Sequence, residues 1–231
     1  MKLLSIAVLS DVHSNLEALQ AVSKNLDVDG IIVLGDSIGY GANPNEALDW
    51  LQENKCICIK GNHEEAVISG ETGWFNSFAT RAILWTRDRI TSANMAFIKS
   101  LEAKKIVAFG GLKIAMCHGS PNDPLYEYVY RETHEHLFDY YLQKENANMV
   151  AMGHTHVPYL WTGKNGIVLN PGSVGQPRDG DRRASFAIVN AEDDIPIVEH
   201  HRIEYDIDSA AKKILNAGLP EMLAKRLYNG R

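Results

Sequence analysis

Short apolar runs alternate with stretches of helical periodicity along this chain, and most of the apolar runs stop at a polar cluster. Residues 3–10 form an apolar strand that halts at Asp11-Val12-His13, after which Ser14 and Asn15 offer capping oxygens to a helix carrying Leu16, Leu19, Val22 and Leu26. Asp29-Gly30 turns the chain into Ile31-Ile32-Val33-Leu34, a run of strand length that ends at Gly35-Asp36. Pro44 then opens a helix through Ala47, Leu48 and Leu51, and residues 56–60 read as a third strand ending at Gly61-Asn62-His63-Glu64. This β-α-β alternation predicts an α/β fold with parallel, doubly buried strands.

From residue 65 to about 105 the period becomes helical, with Phe75, Phe78, Ala79, Ala82 and Trp85 on one stripe and a further helix from Ser92 through Leu101. We read a helical insertion there, with Trp74 and Trp85 as packing residues. Gly110-Gly111 makes a hairpin-like turn into a strand, 112–117, that ends at His118-Gly119-Ser120. A helix is expected over about 132–145, a strand over 149–152 ending at Gly153-His154-Thr155-His156, and an apolar segment over 167–169. Asn170-Pro171-Gly172-Ser173 follows, then two alternating strands near 184–190 and 195–205, separated by acidic residues and paired antiparallel. With no linker or repeat, residues 1–231 read as one domain, with the insertion at about 65–105 and a helical tail at about 209–231.

Five strand ends therefore carry chemistry: Asp11 and His13, Asp36, Asn62 and His63, His118, and His154 and His156. Ligands in open α/β sheets gather at the carboxyl ends of parallel strands. Carboxylates mixed with imidazoles suit Mn, Fe or Zn, and two ions about 3.5–4 Å apart clamp both oxygens of a phosphoryl displacement. Asp36, alone at its strand end, is the expected bridge between the two ions.

Composition narrows the partners. A 45% apolar chain of 231 residues can bury a full core, and 23 basic against 29 acidic residues give a net charge of -6. No basic cluster interleaved with aromatics marks a nucleic-acid duplex as partner, while a local pair of cations would still admit a small anion. Cys56, Cys58 and Cys117 are odd in number and lack secreted spacing, which predicts free thiols, a reducing compartment and a cytoplasmic protein. Cys56 and Cys58 read as buried strand residues rather than ligands. The apolar start resembles a short signal peptide but lacks a small-residue cleavage site, and no run reaches the length of a membrane span.

In order, D-V-H-S-N, G-D-S-I-G-Y-G, G-N-H-E, C-H-G-S and G-H-T-H resemble the signature of the calcineurin-like metallophosphoesterases. The resemblance runs from Lys2 to about Tyr205. It implies two packed mixed β-sheets flanked by helices, a four-layer αββα sandwich. It also implies that Asp11, His13, Asp36 and His156 bind one divalent ion while Asp36, Asn62, His118 and His154 bind the other, with manganese favoured. His63 resembles the family's general acid. Glu64 or Glu65 could maintain its imidazolium, although both read first as solvated residues in the opening turn of a helix. His134, His136, His200 and His201 read as surface or structural residues.

The run from Asn170 to Asp181 looks most like small prokaryotic members described as diadenosine tetraphosphatase-like or as general phosphodiesterases. The expected substrate is a small phosphodiester or nucleoside polyphosphate, with general phosphatase activity as the alternative. Arg178 is open between clamping a second phosphate and pairing locally with Asp179 or Asp181. Tyr126, Tyr128 and Tyr130 read as packing, with base stacking the lesser alternative. The same fold also resembles a non-catalytic scaffold, the retromer subunit; members of that kind tend to lose the acid histidine, and His63 is present here. Relatives of this type are often dimers, so a homodimer is a further expectation.

Overall fold

A computed structural model describes residues 4–192 and 195–231. Its elements run β1 (Leu4–Leu9), α1 (Leu16–Ser23), β2 (Gly30–Val33), α2 (Pro44–Glu53), β3 (Ile57–Cys58), α3 (Asn62–Ser69), α4 (Ser77–Arg87) and α5 (Ser92–Ser100). There follow β4 (Lys104–Phe109), β5 (Leu112–Cys117), α6 (Arg131–His134), a 3-10 turn (Glu135–Leu137), α7 (Phe138–Glu145), β6 (Met149–Ala151), β7 (Tyr159–Gly163) and β8 (Gly166–Asn170). The chain closes with β9 (Ala184–Glu192), β10 (Ile195–Ile203), α8 (Ile207–Asn216) and α9 (Glu221–Asn229).

Two five-stranded sheets result, ordered β10-β9-β1-β2-β3 and β4-β5-β6-β8-β7. In the first, β1, β2 and β3 are parallel and β9 runs antiparallel to β1; in the second, β5, β6 and β8 are parallel between antiparallel edges. The runs are apolar throughout because alternate residues enter different buried layers. Ile6, Val8, Ile32 and Leu34 pack against Ile114, Met116, Met149 and Ala151 between the sheets. Leu9 and Val33 instead face Leu19, Val22, Leu48 and Leu51 of α1 and α2. Ala115, Cys117 and Val150 face Phe138, Tyr141 and Leu142 of α7. Helix, sheet, sheet, helix is the expected four-layer sandwich.

Local departures have physical reasons. Only Ile57 and Cys58 of the expected third strand pair with β2, because the backbone leaves the sheet toward Gly61. After the helices of the expected insertion, β4 begins at Lys104, which pairs with Cys117. The helix expected over 132–145 is interrupted by the 3-10 turn, and β7, an edge strand bounded by Pro158, was hidden by its short aromatic pattern. Leu3 and the acidic residues Asp193 and Asp194 lie outside the described residues. The three cysteines are free, and burial pushes the Cys56 thiol up to about 12.

Candidate metal centre and its cleft

Five parallel strands, three from one sheet and two from the other, deliver their carboxyl ends to one place. The backbone there is unusual. Nine residues other than glycine have positive φ among those described, and seven of them, Asp11, His13, Ser14, Asp36, Tyr40, His154 and His156, surround this point. L-residues enter that region only where surroundings over-determine them, and such residues cluster at functional sites. The surroundings are specific: His13 N–H donates to the Asp36 carbonyl at 2.9 Å, Gly175 N–H donates to the Asp11 carbonyl at 3.0 Å, and the Ser173 hydroxyl donates to the same Asp11 oxygen at 2.7 Å. Asn170 braces the neighbouring loop through Nδ2, which donates to the Gly153 carbonyl at 2.8 Å and meets the Thr155 hydroxyl at 3.0 Å.

All eight expected strand-end residues meet, and their donor atoms fall into two overlapping groups. In the first, Asp11 Oδ1 lies 3.2 Å from His156 Nε2 and 3.7 Å from His13 Nε2. In the second, His118 Nε2 lies 3.1 Å from Asn62 Oδ1, 3.0 Å from His154 Nδ1 and 3.3 Å from Asp36 Oδ2. Asp36 Oδ2 also stands 3.7 Å from His13 Nε2, so this one oxygen touches both groups. Its other oxygen, Oδ1, accepts the His63 N–H at 2.9 Å at the start of α3, where helical N–H groups lack partners. Gly61 is required at this spot: a Cβ there would overlap the Asp36 carboxylate and backbone nitrogen.

Backbone carbonyls fix the imidazoles. His13 Nδ1 faces the Ile38 oxygen at 3.1 Å, His118 Nδ1 the Leu34 oxygen at 2.8 Å, and His156 Nδ1 the Gln176 oxygen at 2.6 Å. A carbonyl only accepts, so each Nδ1 carries a proton and each Nε2 points inward. Burial holds His13 and His156 below the usual imidazole value, and burial together with the His118 charge takes His154 down to about 3. Burial alone would raise both carboxyls. The imidazoles of His156 and His118 at Asp11, and of His118 and His63 at Asp36, outweigh it and hold both well below the usual range. His118 goes the other way: against burial, Asp36 raises it to about 9.

Glu64 corrects the reading of it as a solvated residue. It is fully buried, and its two oxygens accept four backbone N–H groups: Ser37 at 2.7 Å and Ile38 at 3.2 Å on Oε1, Asp36 at 2.9 Å and Gly61 at 2.7 Å on Oε2. Burial and then the Asp36 charge push its carboxyl up to about 7, while those donors favour the ionised form. Glu64 thus sets the turn that presents Asp36. Glu65 does lie in an open first turn, paired with Lys60 at 2.7 Å.

Over this floor lies a cleft whose walls include Tyr40, His63, Trp74, Phe75, Tyr128 and Arg178. His63 sits between rings, edge-on to His13 (4.8 Å) and Phe75 (5.0 Å) and tilted on Tyr40 (4.6 Å). Burial draws it down to about 4, against the Asp36 charge. Tyr128 stacks on His154 at 3.8 Å, and Tyr126 meets the 65% exposed Trp74 edge-on at 5.6 Å. Arg178 is not paired locally: Asp179 holds Arg202, Asp181 holds Arg183, and Arg178 Nη2 meets Gln176 Oε1 at 2.9 Å and the Tyr40 hydroxyl at 3.4 Å.

The calcineurin-like phosphoesterase superfamily domain matches residues 4–194. The chain belongs to that superfamily. An uncharacterized protein of Methanocaldococcus jannaschii is 38% identical to this phosphoesterase-family chain over an alignment of 247 residues that covers 98% of each. The crystal structure of a metallophosphoesterase from Sphaerobacter thermophilus is 33% identical, covers 100% of both chains and superposes with a TM-score of 0.86. A hypothetical protein from Pyrococcus horikoshii, 20% identical over 99% of both chains, shares the fold at a TM-score of 0.90. Membership points to hydrolysis of phosphoester bonds. No helix among the described residues is long and apolar enough to cross a membrane.

The buried clusters fit the divalent ions that the family implies. His13 Nε2 and His156 Nε2 face each other at 3.2 Å, and since Nδ1 holds the proton on both rings, two lone pairs meet. Asp11 Oδ1 and His154 Nε2 are buried without a hydrogen-bond partner. Facing lone pairs beside an anionic oxygen are unfavourable unless a cation lies between them. Among the described residues, three groups of His and Asp atoms are close enough to hold an ion: Asp11, His13 and His156; His13, Asp36 and His63; and Asp36, His118 and His154.

The sequence did not reveal Tyr40, Trp74 and Phe75 as cleft residues. Tyr40 lies in the G-D-S-I-G-Y-G run and had a signal only in that position. Trp74 and Phe75 carry the helical spacing of ordinary core residues, and only their place just before the Asn76 cap of α4 turns them toward the cleft.

Proposed function

We propose that this chain is a dinuclear, manganese-preferring phosphoesterase that hydrolyses a small phosphodiester or a nucleoside polyphosphate. The observation that carries the reading is Asp36 Oδ2, one carboxylate oxygen in contact with both groups of inward-facing donors. Asp11, His13, Asp36 and His156 would hold one ion, and Asp36, Asn62, His118 and His154 the other. Divalent cations there would supply Lewis-acid charge for the phosphoryl oxygens and acidify water near neutral pH.

The remaining work falls to side chains of the cleft. His63 Nε2 lies 3.9 Å from Asp36 Oδ2, while Nδ1 is buried without a partner, so Nε2 is the atom that holds a proton for the leaving oxygen. An anionic phosphoryl group beside it raises the protonated fraction that burial depresses. Arg178 meets the phosphate with guanidinium N–H groups that no carboxylate occupies. Trp74 and Tyr128 give an aromatic substituent flat apolar surface, which favours a nucleotide, and diadenosine tetraphosphate is the specific candidate. Chromatography of products tests this: manganese-loaded protein should cleave diadenosine tetraphosphate faster than bis(p-nitrophenyl) phosphate, and Asp36→Asn should stop both. Manganese-loaded protein that hydrolyses no phosphoester would sink the reading, and a dinucleotide rate no higher than the artificial diester rate would remove the substrate assignment alone.

A further inference from the structure

The charges on one wall of the cleft do not balance. Asp179 and Asp181, the carboxylates nearest in sequence to Arg178, are held by Arg202 and Arg183. Arg178 meets neutral acceptors only, its Nε is buried with no acceptor at all, and its Cζ stands 5.7 Å from the centre of the Tyr40 ring. A second guanidinium approaches the same ring: Arg226 Cζ lies 5.9 Å from the Tyr40 centre. Arg226 belongs to α9, and its Nε donates at 2.8 Å to the main-chain oxygen of Arg231, the last residue of the sequence. Among the described residues no Asp or Glu side chain pairs with Arg178 or Arg226.

Packing, not ion pairing, brings these like charges together. Leu223 and Leu227 of α9 are buried in one cluster with Tyr40, Ala79 and Ala82. The end of α9 is tied to the loop that carries Arg178, since Gly180 N–H donates to the Gly230 carbonyl at 2.9 Å. Gly230 has φ 58° and lies so close to the Asp181 backbone that a Cβ would overlap it, so both glycines of this junction hold the two segments in register. Burial, and after it the charge of Arg178, pulls the Arg226 guanidinium below its usual value. A planar guanidinium pair flanking an aromatic ring is well matched to phosphate oxygens.

We propose that Arg178 and Arg226 form a distal subsite for a further phosphoryl group, so that the cleft takes substrates whose phosphate chain extends beyond the scissile group. This rests on the phosphoesterase reading for the scissile end and adds the length and charge of the substrate. The superfamily match covers residues 4–194, and Arg226 lies after it.

Two measurements on the full chain test it. In calorimetry with inorganic pyrophosphate, on protein as purified and after EDTA, Arg226→Ala should weaken binding at least about tenfold, with Arg226→Lys between the two. In kinetics, Arg226→Ala should lose at least about ten times more kcat/KM on diadenosine tetraphosphate than on bis(p-nitrophenyl) phosphate, which has no distal phosphate. Unchanged pyrophosphate affinity, or equal losses on both substrates in a variant that melts like the parent, overturns the subsite. Tight, Arg226-dependent pyrophosphate binding by a protein that hydrolyses nothing would instead uphold the subsite and sink the phosphoesterase reading.

Discussion

The floor and the wall of the cleft are built on opposite principles. On the floor, donors come from strand ends, the backbone is left-handed at residue after residue, and the Nδ1 atoms of His13, His118 and His156 are held by backbone carbonyls. On the wall, Tyr40, Trp74, Tyr128 and Arg178 come from loops between the regular elements, and several are partly open to solvent. A rigid floor fixes donor atoms to within tenths of an ångström, as a metal centre requires. A wall assembled from separate segments can differ between relatives without disturbing that geometry, so under the proposed function the floor would set the reaction and the wall the substrate.

Substitutions that separate the two should break this contrast if it is wrong. The largest effect belongs to the floor: Asp36→Asn should lower kcat/KM by about a thousandfold on every phosphoester, with circular dichroism unchanged. A loss confined to one substrate would place Asp36 with the wall. Glu64→Ala should cost about 3 kcal/mol or more of stability, because four buried N–H groups lose their acceptor; urea titration with an unchanged slope reads this out. Manganese at about a hundred times its dissociation constant should stabilise the protein by about 2.7 kcal/mol, a melting rise of roughly 5–10 °C for a chain of this size, and Asp36→Asn should blunt it.

Wall substitutions should be milder and selective. Arg178→Ala removes charge-assisted hydrogen bonds to phosphate and should lower kcat/KM by about ten- to a hundredfold on polyphosphates, with a smaller loss on the artificial diester. Trp74→Ala should cost only about three- to tenfold, and only on substrates with an aromatic base; rates compared across nucleotide and non-nucleotide esters decide it.

The same contrast explains what could be read from the sequence. Strand ends are legible because an apolar run followed at once by Asp, Asn or His marks both the element and the place where it stops, and five such stops preceded the floor that the structure shows. Glu64 was misread because its position looks like any acidic first turn; nothing local reveals that the turn after β2 aims three N–H groups at it. Arg178 stayed open because Asp179 and Asp181 were nearer in sequence, and the competing cation, Arg202, arrives from β10. Arg226 was beyond reach, since its place depends on how α9 packs on Tyr40.

Both sheets supply donors. Asp11, His13, Asp36 and Asn62 follow strands of one sheet, whereas His118, His154 and His156 follow strands of the other, so the group of Asp11, His13 and His156 and the group of Asp36, His118 and His154 are each complete only once the sheets have docked. A chain with one sheet formed has neither of these two groups. Ions bound across that seam therefore act as rivets, and their departure must precede or accompany the parting of the sheets. In kinetic terms, loading should slow unfolding far more than it speeds folding, and the protein's lifetime would then follow the supply of metal around it.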